Sequence, residues 1–226
     1  MKKTEVKGAS SRMGKYNVAT PEKLLDAAEV LFASRHFDGV SLQMIAEKAG
    51  TNVGQIVYHF GRKEALLRQT ILRRSMALNE DRLRLLTSYQ LLVGKENVEV
   101  GPLIRAFLEP YYERLRSDED QWRHFALFIS RTAWDERVST YMRECFDDVA
   151  HRYLDAFQAA IPTLNRRNVV RGFQFMLAAM HASTAMDARF RHMLAGDDEN
   201  RDLRADYEEY YASIVPFIIG GFEALR

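Results

Sequence analysis

The sequence predicts an all-α protein of two domains, a small N-terminal helix-turn-helix unit followed by a larger helical C-terminal domain. Three observations carry that prediction. Apolar residues recur three and four positions apart through almost every segment after residue 20, the period of a helix with one buried face. Helix starts and stops are marked by side-chain caps at Thr20, Ser41 and Asn52 and by Gly50, Gly94 and Pro162. No segment shows the period-two alternation of a strand, and no internal repeat or low-complexity run is present. With 226 residues, 47% of them hydrophobic, the chain is long enough for a packed core.

The elements follow in order. Residues 1–19 carry Lys2, Lys3, Lys7, Arg12 and Lys15 among glycines and serines, and are expected to form a flexible basic arm. Thr20 caps a first helix with Pro21 at its first turn, and Leu24, Ala27, Ala28, Leu31 and Phe32 give it an inner face. Asp38-Gly39 is a turn. The stretch SLQMIAEKAGTNVGQIVYHFGRKEALL, residues 41–67, then reads as two short helices at a tight turn and the start of a third. Ser41 caps the first and Gly50 ends it. Asn52 caps the second, with Gln55 three positions on. Val53 to Phe60 is too short to be stable alone. Ile56 and Phe60 are expected to pin it inward, leaving Asn52, Val53, Gln55, Tyr58 and His59 for the outer side. A pinned short helix with a polar outer face suits a DNA major groove.

From Arg62 a long connecting helix is expected to run to about Leu92. Beyond Gly101 all is helix by pattern. One helix carries Ile104, Phe107, Leu108, Tyr111 and Leu115, with a kink expected at Pro110. A second, Asp120 to Thr132, groups Trp122, Phe125, Phe128 and Ile129. Val138 to Ile161 has a stripe of Met142, Phe146, Val149, Tyr153 and Phe157. A helix from about Asn168 to Leu194, a loop GDDENRD and a last helix from Ala205 to Ala224 complete the chain. The last two helices combine small residues (Gly172, Ala178, Ala182) with a dense apolar face (Ile214, Val215, Phe217, Ile218, Phe222). Two copies of such a pair are expected to form a four-helix dimer interface.

Composition narrows the chemistry. The formal net charge is +1, but residues 1–75 hold 13 Lys plus Arg against 7 Asp plus Glu, while the remainder holds 19 against 24. A basic first third points to a polyanion partner for that part. A single cysteine, Cys145, excludes an internal disulfide. The N-terminus lacks the apolar stretch of a signal peptide, and no apolar run is long enough to cross a membrane, so the expected location is the cytoplasm, on the nucleoid. No Gly-rich phosphate loop, G-x-S-x-G or H-E-x-x-H is present, so no enzyme, metal or cofactor is expected. Asp148 and His151, beside Glu144 and Asp147, make half of a di-metal carboxylate pattern but lack a second half; a solvated acidic face is the better reading.

Residues 20–67, TPEKLLDAAEVLFASRHFDGVSLQMIAEKAGTNVGQIVYHFGRKEALL, resemble the N-terminal DNA-binding domain of TetR-type transcriptional regulators. The resemblance rests on Ala27, Ala28, Phe32, Phe37, Gly39, Val40, Ile45, Ala46, Ala49, Gly50, Gly54, Tyr58, His59, Phe60, Lys63, Glu64 and Leu66. The chain departs from the family pattern at His36, where glycine is usual, at Thr51-Asn52, where Val-Ser is commoner, and at Val57, where a tyrosine often stands. The resemblance implies three regions: the arm 1–19, a DNA-binding domain 20–67, and an effector-binding and dimerisation domain 68–226. It implies a dimeric regulator, most simply a repressor, that holds a palindromic operator in double-stranded DNA and releases it to a small apolar or aromatic ligand. Ser41, Asn52, Val53, Gln55, Tyr58, His59 and Lys63 are the expected DNA-binding residues, with Tyr58, His59 and Lys63 on phosphates and Gln55 on an adenine. Phe107, Tyr111, Trp122, Phe125, Phe128, Phe173, Met176, Met180 and His181 are the expected pocket residues. The alternatives are a DNA-binding protein of this type without a small-molecule inducer, and an α-helical enzyme.

Overall fold

The structure is a computed structural model that describes residues 20–133, 135, 136, 138–185, 193 and 203–225. The basic arm, the loop GDDENRD and the expected continuation of the 168–194 helix past Ala185 lie outside the described residues. The described elements are helices: α1 (Pro21–Ser34), a 3-10 turn (Phe37–Gly39), α2 (Leu42–Lys48), α3 (Val53–Phe60), α4 (Lys63–Val93), α5 (Val100–Arg116), α6 (Asp120–Thr132), α7 (Ser139–Ala160), α8 (Arg166–Ala185) and α9 (Leu203–Ala224). Among the described residues no strand occurs.

The expected caps form. Thr20 Oγ1 accepts the Lys23 N–H at 3.4 Å, Ser41 Oγ accepts that of Met44 at 3.2 Å, and Asn52 Oδ1 accepts that of Gln55 at 3.2 Å. Between α2 and α3 the chain turns through Gly50 at φ 69°, and the Thr51 N–H reaches back to the Ala46 carbonyl at 2.9 Å. That backbone angle would strain any residue with a Cβ. Gly61, at φ 73°, ends α3 in the same way.

The N-terminal head is built on Leu24, Ala28, Phe32, Ile45, Ala46, Ile56 and Leu66, all buried. Its core does not stop at residue 67. Ile71 of α4 belongs to it, and so do Phe125, Phe128 and Ile129 of α6. The Phe128 ring stacks on Phe32 at 5.6 Å, and Arg131 Nη1 donates to the Ala33 carbonyl at 2.5 Å. Polar contacts join α1 to α4 as well. Glu29, 1% exposed, accepts from Arg73 at 2.9 Å and Arg74 at 3.2 Å, and Asp26 accepts from Arg73 at 2.7 Å.

The second core lies among the C-terminal half of α4, α5, α7, α8 and α9. The Phe107 ring meets Tyr153 at 5.0 Å and Phe173 at 5.2 Å, both edge-on, and Phe157 stacks on Phe222 at 4.8 Å. Gly172 of α8 lets that last pair close: a Cβ there would stand 2.6 Å from the Phe222 ring. Proline lies inside α5 at Pro110 and inside α9 at Pro216. Gly172→Ala is therefore expected to destabilise the protein by about 1–3 kcal/mol, the usual cost of overpacking. Chemical denaturation checks this, and an unchanged midpoint would show that Phe222 moves aside freely.

Candidate nucleic-acid interface and cavity

α3 stands on the head with Ile56 fully buried beneath it. Its outer face is centred differently from the expected one. Tyr58 is 81% exposed and Val57 51%, and Asn52 and Gly54 are exposed beside them. Val53, Gln55 and His59 are half-buried at the edges of that face, and His59 Nε2 lies buried without a hydrogen-bond partner. Ser41 is exposed at the head of α2, with its hydroxyl engaged in capping. Val57, a departure from the family pattern that bears on which bases are read, lies on the outer face although the expected outer set omits it. An exposed valine suits a thymine methyl group.

Lys63 requires a correction. Its ammonium turns inward, donating to the carbonyl oxygens of Phe37 and Val40, each at 2.6 Å, with the cation 4.0 Å from the Phe37 ring centroid. It ties α4 to the 3-10 turn, sharing the Phe37 carbonyl with the Val40 N–H, which lies 3.2 Å away. Two of its three N–H donors are thus taken from any phosphate.

The cavity lies in the second domain, about 310 Å³ in volume, between α4, α5, α6, α7 and α8. Phe107, Tyr111, Phe125, Phe173, Met180 and His181 line it. Three expected residues do not. Trp122 lies outside it, its ring flanked by the guanidinium groups of Arg74 at 5.1 Å and Arg114 at 4.7 Å. Phe128 is on the neighbouring flank of α6, turned toward Phe32 in the head core. Met176 is wholly buried in the second core. The pattern of α6 alone did not separate these faces, because both are apolar and both are covered. Met142, Phe146 and Leu177 complete much of the apolar wall.

Polar groups at the cavity come from α4, α5 and α8, and from α7 through Ser139, Arg143 and Asp147. Arg82 is 2% exposed; its Nε donates to the Phe107 carbonyl at 2.9 Å and its Nη2 approaches Met180 Sδ at 3.5 Å. Asn79 Nδ2 donates to the Cys145 carbonyl at 2.6 Å. The Tyr111 hydroxyl shares a hydrogen bond of 3.1 Å with Thr184, and burial pushes its pKa up. Burial, reinforced by the Arg82 charge, lowers the His181 pKa to about 4, so that imidazole is neutral at pH 7.

The acidic cluster of α7 has other partners. Glu144 pairs with Arg68 of α4, with Nε to Oε2 at 2.7 Å, and that hydrogen bond holds its pKa below the usual carboxylate value. Asp148 accepts from Arg152 at 3.1 Å, and the His151 ring meets the Asp147 carbonyl at 2.7 Å. Among the described residues no group of three or more His, Cys, Asp or Glu is placed to hold a metal, and no helix is long and apolar enough to cross a membrane.

Two expectations follow. Lys63→Met should lower the stability of the head by about 1–3 kcal/mol, since it removes charged hydrogen bonds to backbone, while the slope of DNA affinity against salt stays as in the wild type. A slope shallower by one phosphate contact would return Lys63 to the phosphate set. For His181 the folded pKa lies below the unfolded one, so the unfolded chain binds the extra proton first. Its contribution to stability is complete above about pH 6.5 and is lost as pH falls toward about 4, worth roughly 3 kcal/mol. Denaturation curves of wild type and His181→Gln should diverge in that window, and parallel curves would remove His181 from the titration.

A family model described as bacterial regulatory proteins, tetR family, matches residues 24–70. Another, described as tetracyclin repressor-like, C-terminal domain, matches residues 105–221. No curated protein matches the chain. Among solved structures, SmeT, the repressor of the Stenotrophomonas maltophilia multidrug efflux pump SmeDEF, is 19% identical over 88% of this chain and 90% of its own, with a TM-score of 0.56. FadR of Bacillus subtilis, in complex with stearoyl-CoA, is 16% identical over 89% of this chain and 99% of its own, with a TM-score of 0.57. The fatty acid degradation regulator FadR of Bacillus halodurans is 15% identical over 93% and 98%, with a TM-score of 0.55. At these identities the likeness to solved structures is one of fold. The C-terminal family match alone spans just over half of the chain, and with the head matched as well, the chain belongs to the TetR family of bacterial regulatory proteins.

Proposed function

We propose that this regulator is a repressor that holds a palindromic operator as a homodimer and releases it when a small ligand fills the cavity. The observation that carries the reading is the position of α6. Its Phe125 and Ile129 line the cavity, while its Phe128 and Arg131 grip α1 of the head. A ligand that shifts α6 moves the surface on which the head rests. It acts as an effector only to the extent that it binds the two arrangements differently, typically by about 1–3 kcal/mol. SmeT is a repressor, and FadR of Bacillus subtilis takes stearoyl-CoA; both support the reading.

On DNA, α3 is the reading helix. Asn52, Val53, Gln55 and Val57 approach base edges, Gln55 choosing adenine and Val57 a thymine methyl. Tyr58, His59, Ser41 and the uncapped N–H groups of the first turn of α4 meet phosphates. The dimer is made by α8 and α9. Their outer faces leave Val170, Phe175 and Phe217 exposed, the last by 72%, among the small residues Ala178, Ala182 and Gly220. Apolar surface of this kind on adjacent helices suits a second copy.

The test is fluorescence anisotropy with DNA from upstream of the protein's own gene and with unrelated DNA, at several salt concentrations. Tight, salt-dependent preference for the upstream DNA is expected. Gln55→Ala should relax the choice at one base position and leave unrelated DNA bound as before. Phe217→Asp should give a monomer in sedimentation and weaken operator binding at least about tenfold, through loss of the second head's base contacts. A Phe217→Asp protein that remains dimeric would remove α9 from the interface. Failure to bind either DNA at low salt would overturn the regulator reading.

A further inference from the structure

Arg82 is unlike the arginines that hold carboxylates in this fold. Arg68, Arg73, Arg74, Arg114, Arg116 and Arg123 are all partly buried, and each has a carboxylate: Glu144, Asp26 and Glu29, Glu29, Asp81, Glu109 and Asp120 respectively. Arg82 is the most buried, and its hydrogen bonds go to the Phe107 carbonyl and the Met180 sulfur. Its guanidinium carbon lies 3.8 Å from the Phe107 ring centroid, which fixes the plane of the group. Burial lowers its pKa to about 10, with the nearby Arg114 charge adding to the effect, so it is still a cation at neutral pH. An ion held in an apolar interior without a counter-ion is costly. Asp147 is the carboxylate at the cavity wall among the described residues, and it makes no ion pair with Arg82.

One turn before Arg82 on the same side of α4 stands Asn79. It is 9% exposed and also lines the cavity. Its Nδ2 faces the Cys145 carbonyl, which fixes the orientation of the amide, since a flip would set oxygen against oxygen. Its Oδ1 is buried and has no hydrogen-bond partner. The cavity thus offers a fixed cation and, beside it, a fixed acceptor that lacks a donor. Apart from Tyr111, His181 and the α7 residues Ser139, Arg143 and Asp147, the wall is apolar, through Phe125, Ile129, Met142, Phe146, Phe173 and Leu177.

We propose that the effector is an organic anion with an apolar body, its carboxylate received by Arg82 and a neighbouring hydroxyl donating to Asn79 Oδ1. This rests on the reading of the cavity as the effector site. The carboxylate supplies the missing counter-ion, and a charged hydrogen bond in a dry site is stronger than a neutral one. The hydroxyl satisfies the amide oxygen. The apolar body covers the aromatic and aliphatic wall. The two polar partners sit on α4, so the ligand's head is fixed on the connecting helix while its body presses on α6.

Isothermal titration calorimetry of the full-length protein with decanoate, 2-hydroxydecanoate, decanol and decylammonium tests this. Decanoate should bind at least about tenfold tighter than decanol, a difference expected of one charged hydrogen-bonded pair. 2-Hydroxydecanoate should bind tighter still, and decylammonium not at all. Arg82→Met should take up decanol as the wild type does and lose the preference for decanoate, whereas Arg82→Lys should keep part of it. Circular dichroism melting verifies that both variants fold, and the alcohol-against-acid comparison on the wild type stands without them. Asn79→Leu should remove only the advantage of the 2-hydroxy acid. Decanol binding as tightly as decanoate, or an Arg82→Met protein that still prefers the acid, would overturn the proposal. DNA release, followed by anisotropy, separates the two readings. Decanol that releases DNA at the same concentration as decanoate would overturn the anion and keep the effector site. Decanoate that binds through Arg82 without releasing DNA would keep the anion and overturn the effector reading. No probe binding to a protein that holds DNA tightly would overturn both.

Discussion

The contact on which this architecture depends is the insertion of α6 into the head, with Phe128 stacked on Phe32 and the Arg131 guanidinium on the Ala33 carbonyl. A head of three short helices has too little apolar surface to hold itself rigidly. It borrows the missing wall from the second domain. The same helix turns Phe125 and Ile129 toward the cavity, so one rigid rod of thirteen residues closes both spaces. Neither the head nor the cavity is complete without it. Anything that repacks one side of α6 must be felt on the other, because close-packed interiors transmit displacement rather than absorb it.

A second, polar constraint runs beside the apolar one. Glu29 on α1 receives Arg73 and Arg74 from α4, and Arg74 shares the Trp122 ring with Arg114, which in turn pairs with Asp81. These groups join α1, α4, α5 and α6 in one chain of charges and rings. Glu29 is wholly buried, so removal of both arginines would leave a carboxylate without compensation, a costly arrangement in a low-dielectric interior. The network therefore fixes the angle at which the head leaves the connecting helix.

Much of this was legible in the sequence, for local reasons. Caps and left-handed glycines act over three or four residues, and Thr20, Ser41, Asn52 and Gly50 placed the boundaries of α1 to α3 close to where they fall. Single-faced helices were equally clear: the stripe Ile104, Phe107, Leu108, Tyr111 and Leu115 is buried throughout. What the sequence concealed is what depends on distant partners. Lys63 looks like a free cation until the turn at Phe37–Gly39 folds its carbonyl groups against it. Trp122, Phe125 and Phe128 share a periodic pattern, yet only Phe125 reaches the cavity, while Trp122 lies between two arginines and Phe128 stacks on Phe32. Arg82 sits in a tract dense in charge and reads as surface; only the packing of α5 and α8 over it makes it an interior ion. Periodicity tells which residues are covered and is silent on what covers them.

The reading helix has a property of another kind. Ile56 alone anchors its middle, and the exposed positions Gly54, Val57 and Tyr58 touch little of the head. Gly54 is the exception, since an added Cβ would stand 2.9 Å from Asn52 Oδ1, the oxygen that caps α3, whereas Val57 and Tyr58 point into open space. Sequence change on this face is thus nearly uncoupled from folding. Copies of such a gene can drift toward new operators while the frame beneath stays the same, which makes the head a interchangeable letterform set on a fixed block.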